Sequence, residues 1–149
     1  MRSLLFALLI LPLASFGANP MHATGSFDVK ISPLAAYNTE AAAMMARMAI
    51  DKQFHGDLEA VSKGEMISAG SPAKGSAGYV AIEHVTGKLA GRSGSFTLQH
   101  NATMTRGEPY LNIIVVPDSG TGELQGLVGK MVVNIADGKH SYDFEYSLP

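Results

Sequence analysis

Glu83 and His100 are the two residues of this sequence whose types and spacing best suit proton transfer. Both lie in "YVAIEHVTGKLAGRSGSFTLQHNATM", residues 79–104, where two alternating runs flank a glycine-bearing turn. A carboxylate and an imidazole inside an apolar wall have shifted pKa values and can pass a proton to and from a bound molecule. Whether they meet depends on the hairpin register. If Arg92-Ser93 forms a two-residue tip, Glu83 faces Ala102 and His100 lies on its diagonal, about 7–8 Å away. Both then share a face with Tyr79, Phe96, Leu98 and Met104. A three-residue loop instead puts Val80, Ile82 and His84 on the His100 face and turns Glu83 outward. Phe96 and Leu98 accompany His100 in either register. The candidate catalytic residues are therefore His100 and Glu83, with Tyr79, Phe96 and Leu98 as ligand contacts. Glu65, in "KGEM", is placed at the start of a strand near a barrel mouth, as a further ligand contact. The blander alternative makes His100 a satisfied wall histidine and Glu83 a solvent or interface residue.

Other chemistries fit less well. "HGDLE" sets His55, Asp57 and Glu59 on one parity, and all three types ligate metals. The opposite parity is apolar, so the solvated face of a strand explains them better. The five histidines, at 22, 55, 84, 100 and 140, include no H-x-H pair. Ser93 sits in "GRSGS" on a hairpin tip rather than on the strand-to-helix elbow of a G-x-S-x-G hydrolase. "VVPDSGTGELQGLVGKMVV" carries Gly120, Gly122, Gly126 and Gly129 between β-branched runs. A dinucleotide fingerprint needs G-x-G-x-x-G opening a helix, but position 125 is Gln and a strand pattern follows. Gly129-Lys130 precedes Met131 rather than Ser or Thr, so no Walker loop forms either. The glycines punctuate strands. No metal or cofactor is expected.

The elements that must position these residues are strands. "GSFDVKISP" alternates Phe27, Val29 and Ile31 with polar residues, the signature of a half-buried strand. From Met48 to Ala60 one parity is apolar, with Lys52 the misfit. "SKG", residues 62–64, is read as a turn into "EMISAG". The 79–104 hairpin, "LNIIVVP", "KMVVNIA" and "HSYDFEYSL" complete about eight strands. "NTEAAAMMARMAI" is the one helix-compatible segment. Such a series of short alternating strands predicts an all-β protein, and alternation all along the chain favours closure into an eight-stranded antiparallel barrel, which removes exposed edges. The Tyr142, Phe144 and Tyr146 stripe and the methionines are assigned to its core.

Composition narrows the setting. The chain has 149 residues, 16% charged, and a formal net charge of −2. No basic field exists to hold nucleic acid. With no cysteine there is no disulfide, thiolate site or lipid-bearing cysteine. Residues 1–20, "MRSLLFALLILPLASFGANP", pair Arg2 with an apolar run from Leu4 to Ala14 and then small residues. That run is too short to span a bilayer core of about 30 Å and has the proportions of a signal peptide. Residues 21–149 then form a single exported domain, periplasmic or secreted, with no stable membrane anchor once the leader is removed. Translation from Met21 would instead leave the protein cytoplasmic.

"MARMAIDKQFHGDLEAVSKGEM", "GSAGYVAIEHVTGKLAGRSGSFTLQH" and "VVPDSGTGELQGLVGKM" resemble an uncharacterised bacterial family, the domain-of-unknown-function 3224 family. The resemblance runs from about His22 to Leu148. It implies a barrel similar in fold to allene oxide cyclase and assembly into homo-oligomers, dimers or higher, and it implies no settled reaction. Fold likeness alone transfers no activity. Three functions are consistent with these residues. The first is binding of a small apolar molecule in the bore. The second is a cofactor-free cyclase or isomerase using His100 and Glu83. The third is a filled barrel serving as a structural or interaction module.

Overall fold

Alternating side chains give these segments one apolar and one polar face, and the chain buries the apolar face by rolling the sheet shut. The computed structural model describes residues 20–40 and 44–149. The expected leader therefore lies outside the described residues, apart from Pro20. Eight strands follow one another around a closed antiparallel barrel: β1 (Met21–Leu34), β2 (Met45–Gly56), β3 (Leu58–Gly70), β4 (Ala77–Leu89), β5 (Arg92–Thr105), β6 (Glu108–Val115), β7 (Val128–Ala136) and β8 (Lys139–Ser147). β1 pairs with β8 to complete the ring. In strands this regular, inward residues form stacked layers and outward ones face solvent.

The two ends differ. At one end Leu58, Leu89, Leu124, Leu127 and Leu148 are almost fully buried and plug the bore. Leu124 and Leu127 come from the glycine-rich segment between β6 and β7, which folds back over β5. Its backbone donates from Thr121 N to Ser95 O (2.8 Å), and Ser119 Oγ accepts from Thr97 N (3.0 Å). Gly122 and Gly126 take positive φ, and a 3₁₀ turn over Gly122–Leu124 is the only helical element among the described residues. The glycines bend the chain between strands, as expected, and a strand rather than a helix follows; that the bent segment also plugs the bore is new. The opposite end stays open. Ile31, Met104, Leu111 and Ile135 point inward by register, yet each remains substantially exposed.

One segment left open by its sequence is decided, and two local expectations are corrected. The helix-compatible segment is strand from Met45 onward, because Met48, Ile50 and Phe54 bury alternately against β1 and β3. Tertiary burial overrides the helix propensity of its alanines and methionines. The Ser62–Gly64 "turn" runs straight through the middle of β3, carrying Ser62 and Gly64 on the inward parity. The β4–β5 hairpin closes at Ala90-Gly91, not at Arg92-Ser93, with Leu89 opposite Arg92. Both tip residues have positive φ, 47° and 82°, the conformation of a two-residue turn that follows the strand twist. Moving the tip by two residues shifts the pairing by an even number, so every side chain keeps its face.

Alanine in the left-handed region is strained, whereas asparagine tolerates it. Ala90→Asn should therefore stabilise the protein by about 0.5–1 kcal/mol, read as a higher denaturation midpoint at unchanged slope. A lower midpoint would contradict the turn geometry.

Candidate functional site

The inward layer half-way along the barrel holds four polar side chains from four successive strands: Lys52 on β2, Ser62 on β3, Glu83 on β4 and His100 on β5. Register brings them together. Lys52 faces Ser62 across β2–β3, while Glu83 faces Gly64 on one side and Leu98 on the other. His100 faces Ala81 and so lies on the diagonal of Glu83. The Glu83 carboxylate, with no exposed surface, is the hub. Its Oε2 accepts from Lys52 Nζ at 2.7 Å and from His100 Nε2 at 2.9 Å, and its Oε1 accepts from Ser62 Oγ. Gly64 makes room for it. A Cβ there would sit 2.6 Å from Ile82 O and 2.9 Å from Glu83 Cα.

Burial by itself would raise the Glu83 carboxyl. The hydrogen bond from His100, the charge and hydrogen bond of Lys52 and the Ser62 hydroxyl outweigh it, and hold the group at about 2, below its usual 4.5. Glu83 is therefore an anion at neutral pH, a poor base but a firm acceptor. An ionised carboxylate only accepts, so His100 must carry its proton on Nε2. Lys52 Nζ also stands 4.9 Å from the Phe27 ring centroid and 5.5 Å from that of Phe54, which adds a cation–π attraction. The arrangement orients an imidazole by a carboxylate and places an ammonium beside it, inside an apolar wall.

Toward the open end, a cavity of about 320 Å³ lies above this layer, lined by Met66, Ser68, Tyr79, Ala102, Met104 and Leu111 among others. On β3 Met66 is the next inward residue after Gly64, and on β5 Ala102 follows His100. The polar layer is thus immediately beneath the cavity floor and none of its four side chains lines the cavity. Tyr79 connects the two, its hydroxyl pKa raised by burial and then by the Glu83 charge.

The nominated residues fall into three groups. Glu83, His100 and Tyr79 all face the bore, in the parity of the two-residue turn. Phe96 and Leu98 face inward too, but they lie in the sealed core: Leu98 has no exposure and Phe96 stacks on Phe144 at 5.7 Å. Their nomination as ligand contacts is corrected, because the bore at their level is filled by other side chains. The placement of Glu65 at a strand start near a barrel mouth is corrected as well. It sits mid-strand on the outer wall, where Arg47 Nε donates to it at 2.8 Å. Once "SKG" is strand rather than turn, Glu65 has outward parity. His55, Asp57 and Glu59 are exposed on the outside; His55 pairs with Asp28 at 3.2 Å and Asp57 accepts from Thr24 N at 2.8 Å. Lys52 and Ser62 were missed. The signal for Lys52 was present, since it was the one charge on an apolar parity.

The model of a family described as "Protein of unknown function (DUF3224)" matches residues 23–146. This chain belongs to the DUF3224 family. Similar to it among solved structures is the crystal structure, at 1.84 Å resolution, of a DUF3224 protein of unknown function from Shewanella oneidensis MR-1. The two are 52% identical, the match covers 88% of this chain and 98% of that one, and the TM-score is 0.84. No curated protein matches the chain. Membership was legible in the three quoted motifs, and it brings this DUF3224 protein no reaction.

The carboxylate at the hub makes stability depend on acid. A depressed folded-state pKa contributes stability that is complete above the unfolded value, near 4.5, and is lost as pH falls toward about 2. The span corresponds to about 3 kcal/mol. Glu83→Gln keeps the shape but removes the charge, leaving Lys52 without its partner. It should cost about 3–5 kcal/mol at neutral pH and flatten the stability curve below pH 5. Denaturant titrations of both proteins across this range check it; acid limbs of equal steepness would exclude Glu83 as the source.

Proposed function

We propose that this protein binds a small, largely apolar molecule in the open end of its barrel. The observation that carries this reading is the asymmetry of the bore. One end is plugged by five leucines, whereas the other keeps a cavity of about 320 Å³ with a mainly apolar lining. That volume is at the lower limit of ligand pockets, about 300–1,000 Å³, so the occupant is small. Exposed inward-facing Leu111 and Met104 at the rim leave the cavity open to entry. β6 and β7 share a single ladder pair, Ile114 with Lys130, so the wall is loosest beside the cavity.

A specific observation also favours the enzyme reading, a cofactor-free cyclase or isomerase. A buried carboxylate fixes the tautomer of His100 directly under the cavity, as catalytic carboxylates do for histidine bases. His100 would be the proton carrier and Glu83 its positioning residue. The two readings share one pocket and differ in what happens to its occupant. A third possibility, the filled structural barrel, is disfavoured by the open cavity.

Ala102→Phe tests the shared pocket. The ring would fill the cavity one layer above His100, so uptake of an apolar fluorescent probe should fall by at least about tenfold. The barrel's melting temperature reports whether the fold is kept. Undiminished probe uptake by a folded Ala102→Phe variant would place binding elsewhere.

We also propose export and self-association. The Leu4–Ala14 run supports a cleaved leader. On the outer wall Val61, Ile67, Val80 and Ile82 expose large apolar side chains on β3 and β4, a strip suited to a second copy of this chain. Native mass spectrometry of protein from its own host should show a chain lacking residues 1–20, assembled as at least a dimer and carrying a small molecule. An intact leader would count against export, and a bare monomer against the other two.

A further inference from the structure

The hydrogen-bond accounting of the polar layer leaves a remainder, and the remainder has a definite chemistry. The Glu83 carboxylate accepts from three donors: Lys52, His100 and Ser62. Lys52 has N–H groups to spare. Its ammonium has three N–H groups, and the only hydrogen-bond acceptor recorded for it among the described residues is Glu83. The side chain is nevertheless only 7% exposed. His100 has a second nitrogen, Nδ1, for which no partner is recorded among the described residues. The His100 side chain is 5% exposed. Lys52 and His100 contact the same oxygen, Oε2, and are therefore neighbours. Spare N–H donors and a second imidazole nitrogen thus belong to the same buried layer.

We propose that Lys52 and His100 receive a neutral, apolar carbonyl compound, Lys52 holding its oxygen and His100 exchanging its α-proton. This rests on the cavity reading above and adds the head group and its chemistry. Charge balance selects the class. With the imidazole neutral, the layer holds one positive and one negative charge that offset each other. A ligand carboxylate would have to lie beside ionised Glu83, and a ligand ammonium beside Lys52, each adding an uncompensated charge to an apolar interior. A carbonyl oxygen accepts the spare Lys52 N–H and adds none. Between the cavity and the polar layer stand Ala81 and Ala102, whose side chains are small, and Met66, whose unbranched chain shifts readily.

The step is self-contained. The α-carbon gives its proton to His100 Nδ1, and the C–H electron pair becomes a carbon–carbon π bond. The carbonyl π pair moves onto oxygen, where the Lys52 N–H stabilises it. Return of the proton from Nδ1 to the same carbon gives exchange, and delivery to a conjugated carbon gives isomerisation. Glu83 stabilises the imidazolium formed in between.

The test uses the full-chain protein and three probes of equal chain length: 2-octanone, octanoate and octylammonium. Binding is followed by ligand-observed NMR, and deuterium incorporation alpha to the ketone in D₂O by the same method. The ketone should bind at least about tenfold more tightly than either ion, the effect expected of one hydrogen bond without a charge penalty. Its α-deuteration should exceed the buffer rate at least about tenfold. Lys52→Met should weaken ketone binding, and His100→Gln should abolish exchange while leaving binding. The wild-type ligand series decides even if these buried variants do not fold. An ion bound as tightly as the ketone overturns the carbonyl assignment and leaves the cavity reading standing. A bound ketone that exchanges no faster than in buffer overturns the role of His100. Binding of none of the three removes the cavity reading as well.

Discussion

An ionised carboxylate with no exposed surface cannot persist in an apolar barrel unless its lone pairs are taken up. Glu83 meets that requirement with donors from three other strands, and much of the interior is arranged around it. Lys52 reaches it from β2, Ser62 from β3 and His100 from β5. The backbone cooperates, because Gly64 supplies the space opposite Glu83 that any larger residue would occupy. Breaking such a pair strands a buried charge, so the network specifies register as well as adding attraction. A one-residue slip of β4 against β5 would turn Glu83 outward and leave Lys52 and His100 without their shared acceptor.

The polar layer also divides the bore. Below it, aromatic and leucine side chains pack to the plugged end: Phe27 against Phe54, Phe96 against Phe144, Phe144 against Tyr146. Above it, small residues and an incompletely paired β6–β7 seam leave space. Packed side chains occupy one half and open space the other, with the charged layer at the boundary. That placement sets His100 in a rigid layer directly beneath the cavity floor.

Parity carried most of what was legible beforehand. Phe27, Val29 and Ile31, or Tyr142, Phe144 and Tyr146, declare their inward face by type alone. The pairing of Glu83 with His100 survived a misplaced hairpin tip because the displacement was even. Glu65 failed for the opposite reason: a turn assumed at Ser62–Gly64 broke the count and released the residue from the parity that puts it outside. The alanine- and methionine-rich segment before Ile50 stayed open in the sequence because local propensity allows helix, while burial between two neighbouring strands decides for β.

The order of residues along the chain by itself determined the all-β class, the inward and outward faces of most strands, the family and the bends of the glycine segment. The class, the faces and the bends follow from period-two alternation or from local turn chemistry, which act over a few residues, and the family follows from the likeness of three longer motifs. Only the tertiary structure decided that Lys52 and Ser62 join Glu83 and His100, that Phe96 and Leu98 are sealed in, and which end of the barrel stays open. Those outcomes depend on which strands become neighbours and how far each is staggered around the ring. A stagger is set by the closure of the whole sheet at once, and no single stretch of sequence encodes it.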